Sequence, residues 1–283
     1  MTTYAVTGAS GQLGRKIVQS LLDLHISPFD VIALARDTAK VEDLAALGVR
    51  TRTADYDQPE TLTAALDGVD RLVLVSASEP GKRLPQHQAV ISAAEAAGVQ
   101  RIVYTSLLKA DDTTNGLAPE HIATEEVLAA SPVETTALRN SWYIENYTGQ
   151  IGSYLEQGAI IGAAGDGLIS AATRQDYAEA AAAAAVADAV KPTYELGGTA
   201  FTLADLAATV SAVSGKEIGY TNVTVDELTA GMVGAGMPEG VASFWASIDG
   251  SIAVGDLHTE STDLADLIGR QPTPLADAVK AAL

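Results

Sequence analysis

Residues 4–14 read YAVTGASGQLG, and the reading of this stretch decides the fold. A short apolar run stops at Thr7. Gly8, Gly11 and Gly14 follow, and QLGRKIVQSLLDL then continues as a helix candidate. In a G-x-x-G-x-x-G turn between a strand and a helix, each glycine has its own task. Gly8 permits the sharp turn, Gly11 lets a pyrophosphate approach the backbone, and Gly14 allows close contact between helix and sheet. Free N–H groups at the helix start, together with the helix dipole, favour phosphate there. Ser10 and Gln12 are placed to add polar contacts, with Leu13 beside them.

The surroundings support that reading over a glycine loop that binds nothing. VIALA is followed by VEDLAALG, VRTRTADY by PETLTAALDG, RLVLVSA by LPQHQAVISAAEAAG, and RIVYTS by EHIATEEVLAAS and VETTALR. Short strands alternating with helices predict an α/β fold: a Rossmann-type, doubly wound, mainly parallel sheet covered on both faces. Gly48, Gly68 and Gly98 each close a helical run just before a strand candidate, as helix-ending glycines do. After Arg139 the rhythm changes. NSWYIENYTGQIGSYLEQG reads as an aromatic-bearing helical segment, and AIIGAAGDGLIS as a hairpin or extended loop. Thr202 is a helix cap, and YELGG and IGYTNVT are strand candidates. The expected division is 1–150 for nucleotide binding and 151–283 for a smaller lobe, with residues near 175–200 returning to the first part.

The tip of the second strand bears on which dinucleotide is bound. An NAD-selective site usually places a carboxylate there to take the ribose hydroxyls. VIALARD instead puts Arg36 at that position, with Asp37 next and Lys40 further on. Guanidinium makes charge-assisted bonds to a 2′-phosphate, each worth about 1.5–3 kcal/mol net. The expectation is therefore NADPH, with NADH still possible because Asp37 competes for Arg36. Asp55 and Tyr56 end the next strand, where Asp55 either accepts from the adenine amino group or caps the following helix. Ser76, Ala77 and Ser78 line the fourth tip, and Thr105 and Ser106 the fifth, nearest the expected nicotinamide.

Composition narrows the chemistry. The chain has no cysteine, which excludes disulfides, thiolate nucleophiles and cysteine metal sites. Its four histidines are far apart with no metal-ligand spacing, so no metal is expected. A net charge of −19, from 36 acids and 17 bases, makes nucleic acid a poor partner. The longest apolar tract, residues 178–190, is mostly alanine and carries Glu179 and Asp188, so membrane insertion is not expected. The N-terminus shows no signal-peptide pattern, and a cytoplasmic location is expected. Apolar helices can face either the core or a second copy, which leaves a homodimer open.

None of the nine tyrosines is followed four residues later by lysine, so the familiar phenolate/lysine pair for alcohol oxidation is absent. Reduction of a quinone asks for less. An electron-poor ring takes hydride directly, and a dry, oriented pocket supplies most of the catalysis. Candidates for that pocket are Asn140, which can orient a carboxamide or carbonyl, and Trp142 and Tyr143, which can stack on a flat ring. His121 is a candidate weak proton donor, and Lys109 either faces the site or solvates its loop. Asn146 and Tyr147 lie close by in sequence. Arg174, Asp176 and Tyr177 read as a structural network.

The segments VTGASGQLGRKIV, LARD with Lys40, QHQAVISAAEAAGVQRIVYTSLL, PEHIATEEVL, ALRNSWYIEN, RQDYAEAAAAA and GRQPTPLADAV resemble the atypical short-chain dehydrogenase/reductases of the NmrA-like group. LRNSWYIEN, DYAEAAA and GRQPTPL point within it to the type 2 NAD(P)H:quinone oxidoreductases. The resemblance implies NADPH without flavin or metal, and two-electron reduction of a small aromatic acceptor such as a quinone. It also implies a cleft between the sheet domain and a C-terminal substrate lobe. The same group includes azo-dye and triphenylmethane-dye reductases, and non-catalytic redox sensors that bind the nucleotide.

Overall fold

The computed structural model describes residues 2–77, 79 and 81–283. Ser78, expected at the fourth strand tip, lies outside the described residues. The strands are β1 (Tyr4–Val6), β2 (Val31–Ala35), β3 (Arg50–Thr53), β4 (Arg71–Leu74), β5 (Arg101–Leu107), β6 (Glu134–Asn140), β7 (Ala159–Gly162), β8 (Thr193–Leu196) and β9 (Gly219–Asn222). The helices in the first half are α1 (Gln12–Asp23), α2 (Glu42–Ala46), α3 (Pro59–Ala65), α4 (Arg83–Ala97), α5 (Ala118–Ala130), α6 (Glu145–Thr148) and α7 (Ile151–Gln157). Those that follow are α8 (Arg174–Val186), α9 (Leu203–Ser214), α10 (Val225–Gly234), α11 (Glu239–Ala253), α12 (Asp263–Ile268) and α13 (Leu275–Ala281).

Seven strands form one sheet in the order β3-β2-β1-β4-β5-β6-β8, and every neighbouring pair is parallel. Parallel pairing needs a crossover after each strand, and helices covering both faces are the usual result. β1 and β2 are therefore apolar along their whole length and buried throughout. On one face Ile17, Val18 and Leu21 of α1 pack with the alanines of α8. On the other, Leu62 and Leu66 from the α3 region pack with Val90 and Ile91 of α4. α8 lies directly against α1, and Ala178, Ala181, Ala182 and Ala185 are fully buried. Alanine keeps the helix formed while adding almost no width, so two helix backbones can share one sheet face.

Two expectations change after β6. The aromatic segment is not one helix: residues 141–144 run past the strand end, and α6 and α7 follow as separate short helices. The segment expected as a hairpin or loop supplies β7, which pairs in parallel with β9, sixty residues on, by Ile160↔Tyr220. Local sequence cannot reveal such a pairing, because the partner strand is non-local. A second core surrounds this small sheet and contains Trp142, Tyr147, Phe201, Leu206 and Ile252.

Thr202 caps α9 as expected, in a capping box with Asp205. Thr173 and Asp176 do the same for α8. Asp176 is fully buried, accepting from Arg270 at 2.7 Å and from the Thr273 hydroxyl at 3.0 Å. Asp176 thus pins the C-terminal GRQPT segment to α8, whereas Arg174 and Tyr177, expected in one network with it, bond elsewhere, to Asn146 and to the Trp142 carbonyl. Replacing Asp176 with Asn removes the charge from this junction and leaves Arg270 half-exposed. Urea unfolding is expected to show a loss of about 2 kcal/mol, the scale of a hydrogen bond to a charged group.

Candidate active site

The sheet order reverses between β1 and β4, and ligands of open α/β sheets bind beyond the carboxyl ends of the strands at such a point. Here a cleft of about 430 Å³ opens, within the usual size range of small-molecule sites. One end is the glycine turn. Gly8 has φ +60°, and the Gly11 N–H closes the turn onto the Gly8 carbonyl at 2.8 Å. A Cβ on Gly14 would stand 2.3 Å from that carbonyl oxygen, so only glycine lets α1 begin this close to the strand end. α1 has no side-chain cap, whereas α8, α9 and α10 all carry complete capping boxes. The N–H groups of Gln12, Leu13 and Gly14 are thus left for a ligand, and an anion fits them.

Gly8, Ser10, Gly11, Gln12, Leu13, Gly14, Arg36, Asp55, Tyr56, Ser76, Ala77, Thr105, Ser106, His121, Asn140, Trp142 and Tyr143 all line this one cleft. Arg36 is exposed at the β2 tip with its nearest carboxylate, Glu79, at 3.6 Å. Asp55 does not cap α3. Its carboxylate accepts from the Asp57 N–H and the Gln58 amide, closing its own turn beside the cleft. Tyr56 donates to the Val75 carbonyl at 3.1 Å, and the Thr105 hydroxyl accepts from the Ser76 N–H at 2.9 Å.

Two expected residues lie outside the cleft. Lys40 is exposed, and its carbonyl takes a guanidinium hydrogen bond from Arg15. Lys109, with a left-handed φ of 50°, donates through its backbone to Glu195 and through Nζ to the Gly255 carbonyl. Its ammonium is directed to the C-terminal part of the chain, so the loop reading holds for it in place of the site reading.

His121 reaches the cleft, but not as a charged acid. Burial foremost, then the charge of Arg83, pushes its pKa down to about 3. The ring is neutral at ordinary pH, and its Nδ1 lies 2.8 Å from the Tyr104 hydroxyl. Burial raises the Tyr104 pKa, so that hydroxyl keeps its proton to donate. With that hydroxyl donating to Nδ1, the ring N–H sits on Nε2, and His121 then offers a hydrogen bond rather than a proton.

Sequence reasoning missed Arg83, Gln86, His87 and Glu125. Arg83 is buried, donates to the Ala77 carbonyl at 3.0 Å and pairs with Glu120. His87 accepts from the Ala77 N–H through Nε2, and its Nδ1 faces Thr124. Together these side chains hold both polar groups of the Ala77 backbone at the β4 tip. Glu125 accepts from the Ser106 hydroxyl at 2.5 Å and pairs with Arg139. The signal was a polar spacing, R-x-x-Q-H, on an otherwise ordinary helix.

At the far wall, Asn140 is buried and its Oδ1 has no hydrogen-bond partner among the described residues. A buried amide oxygen left unpaired costs free energy and fits a ligand N–H. Tyr143 packs edge-on against Tyr177, its ring covered by the Arg174 guanidinium at 4.6 Å. Burial raises the Tyr143 pKa, with Arg174 and Asn140 acting the other way. Trp142 meets Trp245 edge-to-face at 6.2 Å.

Fold and cleft together define a dinucleotide-binding protein of the Rossmann type. Residues 8–188 match a family model described as NAD(P)H-binding. The chain belongs to that NAD(P)H-binding family, in the NmrA-like group that its sequence resembles. It is 46% identical over 278 residues to quinone oxidoreductase 2 of Escherichia coli (strain K12), covering 97% of this chain and 96% of that protein. The crystal structure of the NADPH-dependent quinone oxidoreductase QOR2 from Escherichia coli, complexed with NADPH, superposes with a TM-score of 0.95 at 45% identity, covering 99% of each chain. Triphenylmethane reductase of Citrobacter sp., complexed with NADP(H), gives a TM-score of 0.94 at 36% identity over 99% of this chain and 100% of that one.

Two outcomes follow from this geometry. Arg36→Ala is expected to raise the Kd for NADPH about tenfold and leave NADH nearly unchanged, measured by titrating each nucleotide. The second concerns stability. His87 and His121 are both held at about 3 against the usual 6.5, His87 also by burial first and Arg83 second. The unfolded chain takes up protons near 6.5 that the folded chain refuses. Their contribution is therefore complete above that pH and is lost as pH falls toward 3. Urea midpoints should fall through this window, and a His87→Gln, His121→Gln double variant should flatten the fall.

Proposed function

We propose that this protein is an NADPH-dependent quinone reductase that passes hydride directly to a bound acceptor, without flavin. One observation carries the reading: a single continuous cleft joins the uncapped glycine turn and Arg36 to the wall formed by Asn140, Trp142 and Tyr143. NADPH, when bound, supplies the hydride. Gln12, Leu13 and Gly14 present backbone N–H groups to the pyrophosphate, and Arg36 takes the 2′-phosphate. The unpaired Oδ1 of Asn140 accepts from the carboxamide and so sets the face of the nicotinamide ring. Trp142 and Tyr143 hold the flat acceptor against it.

Quinone, hydride and one proton give the hydroquinone. Negative charge appears on an acceptor oxygen as the hydride arrives, and the neutral His121 N–H stabilises it there by hydrogen bonding. Water then delivers the proton, so no residue must change its charge state. The Ser106 hydroxyl, whose proton is committed to Glu125, presents only lone pairs to the cleft. It accepts from a ribose hydroxyl or the carboxamide. On this reading residues 1–150 form the nucleotide-binding domain and 151–283 mainly the substrate lobe, with residues near 175–200 returning to the first.

Reduction of a triphenylmethane dye is a second reading, favoured by the 0.94 TM-score to the Citrobacter reductase over nearly the whole chain. Among the described residues no helix is long and apolar enough to cross a membrane. Work in the cytoplasm is part of this proposal, supported by the absence of cysteine. A homodimer is compatible with exposed apolar residues such as Val241 and Trp245 on α11.

Mixing the protein with NADPH and a small quinone, without added flavin, should remove the reduced-nicotinamide absorbance. Asn140→Ala should lower kcat about a hundredfold by misplacing the nicotinamide ring, and weaken NADPH binding by no more than about tenfold. Tight NADPH binding with no turnover of any quinone or dye would overturn the enzyme and leave a nucleotide sensor.

A further inference from the structure

A second cavity of about 380 Å³ adjoins the first and shares Ser10, Gly11 and Gln12 with it. Its other walls are Arg15, Lys16, Glu145 and Arg174. The two cavities thus meet along one face of the glycine turn, where the backbone N–H groups of α1 have no cap.

The three cations here are not equivalent. Arg15 is already committed to the Asp43 carboxylate and the Lys40 carbonyl. Lys16 makes no hydrogen bond or ion pair with the described residues, and its flexible stem leaves its ammonium unfixed. Arg174 is different, because its side chain is only 16% exposed and is held on three sides. Its guanidinium lies over the Tyr143 ring at 4.6 Å, and its Nη2 donates to Asn146 Oδ1 at 3.0 Å. Its nearest carboxylate oxygen, on Glu145, is 3.7 Å away, beyond hydrogen-bond reach. Glu145 spends both oxygens on the Arg174 backbone N–H instead, at 2.9 and 3.0 Å.

A guanidinium carries five N–H donors, and this one uses one of them on the described residues. A largely buried cation with spare donors, facing only the Glu145 carboxylate at 3.7 Å with no hydrogen bond to it, keeps donors free for an anion, and a doubly charged anion beside it would use them. The Tyr143 stack and the Asn146 bond fix the plane of the group in advance, so little further ordering is lost on binding.

We propose that Arg174 is a cofactor-binding residue whose guanidinium takes the dinucleotide pyrophosphate from across the second cavity, opposite the start of α1 at Gly11 and Gln12. The inference rests on the NAD(P)H-binding reading of the glycine turn. It assigns Arg174 a task distinct from that of Arg36: Arg36 distinguishes NADPH from NADH, while Arg174 serves both. It also couples pyrophosphate binding to the position of Tyr143, which shares the guanidinium with it.

The test is to titrate wild-type protein, Arg174→Met and Arg174→Lys with NADPH, NADH, ADP-ribose and adenosine 2′,5′-bisphosphate. Arg174→Met should raise the Kd for NADPH, NADH and ADP-ribose by a similar factor, about tenfold or more, and leave the bisphosphate unchanged. Arg174→Lys should recover part of the loss for all three pyrophosphates. ADP-ribose lacks the nicotinamide, so its loss separates a pyrophosphate contact from a disturbed Tyr143. Unchanged pyrophosphate binding, a loss confined to NADPH, or an equal loss for the bisphosphate would overturn the proposal. Should Arg174→Met fail to fold by circular dichroism, the lysine variant decides. Wild-type affinity for all three pyrophosphates, or a lysine loss that includes the bisphosphate, would again overturn it. If wild-type protein binds no dinucleotide, the underlying reading falls first and this one with it.

Discussion

Everything in this molecule depends on the close approach of α1 to the carbonyl of Gly8. A Cβ at Gly14 would stand 2.3 Å from that oxygen and 3.0 Å from the Ala9 nitrogen, so the contact exists only with glycine. It drops the first turn of α1 onto the end of β1, where uncapped N–H groups face the reversal point of the sheet. It also holds the helix low enough for Ile17, Val18 and Leu21 to seal the sheet face. α8 can then pack alongside, because its alanines demand so little space.

Charge is managed by the same economy. A chain with net charge −19 has to hold a phosphorylated dinucleotide, and five of its ten arginines, Arg15, Arg83, Arg101, Arg139 and Arg270, are in close pairs with carboxylates. Arg139 binds Asp111, Glu125 and Glu195 together, Arg101 binds Glu134, and Arg270 binds Asp176 and Glu179. Burial works against the charge of Arg139, yet its carboxylates raise its pKa above the ordinary arginine value. The two arginines paired with a carboxylate only at longer range, Arg36 at 3.6 Å and Arg174 at 3.7 Å, both stand at the cleft system. Local concentration of positive charge and oriented backbone dipoles thus overcomes the unfavourable field of the whole chain.

Much of this arrangement was legible in the chain itself. Glycine spacing, strand–helix alternation and the Arg36 position are local patterns, and local backbone preference determines them. The RNSWY segment followed a strand, so its place on the cleft wall could be read as well. Lys40 and Lys109 show where such reasoning ends. Both sit just beyond strand tips, but the direction of a long side chain depends on its partners in space. For Lys109 the partners are Glu195 and Gly255, far off in sequence. His87 and Glu125 were missed for the converse reason, being ordinary helix residues until β4 and β5 arrive beside them.

YAVTGASGQLG was thus sufficient, with the repeating elements after it, to specify a parallel sheet with a dinucleotide turn at its centre. Glycine conformations and hydrophobic periodicity act over a few residues, and neither needs the rest of the chain to be understood. Folding alone decided the protonation of His121, the unpaired oxygen of Asn140, and the setting of Arg174 between Tyr143 and the glycine turn. Those properties arise from burial and from contacts between distant segments, and a linear sequence does not display them.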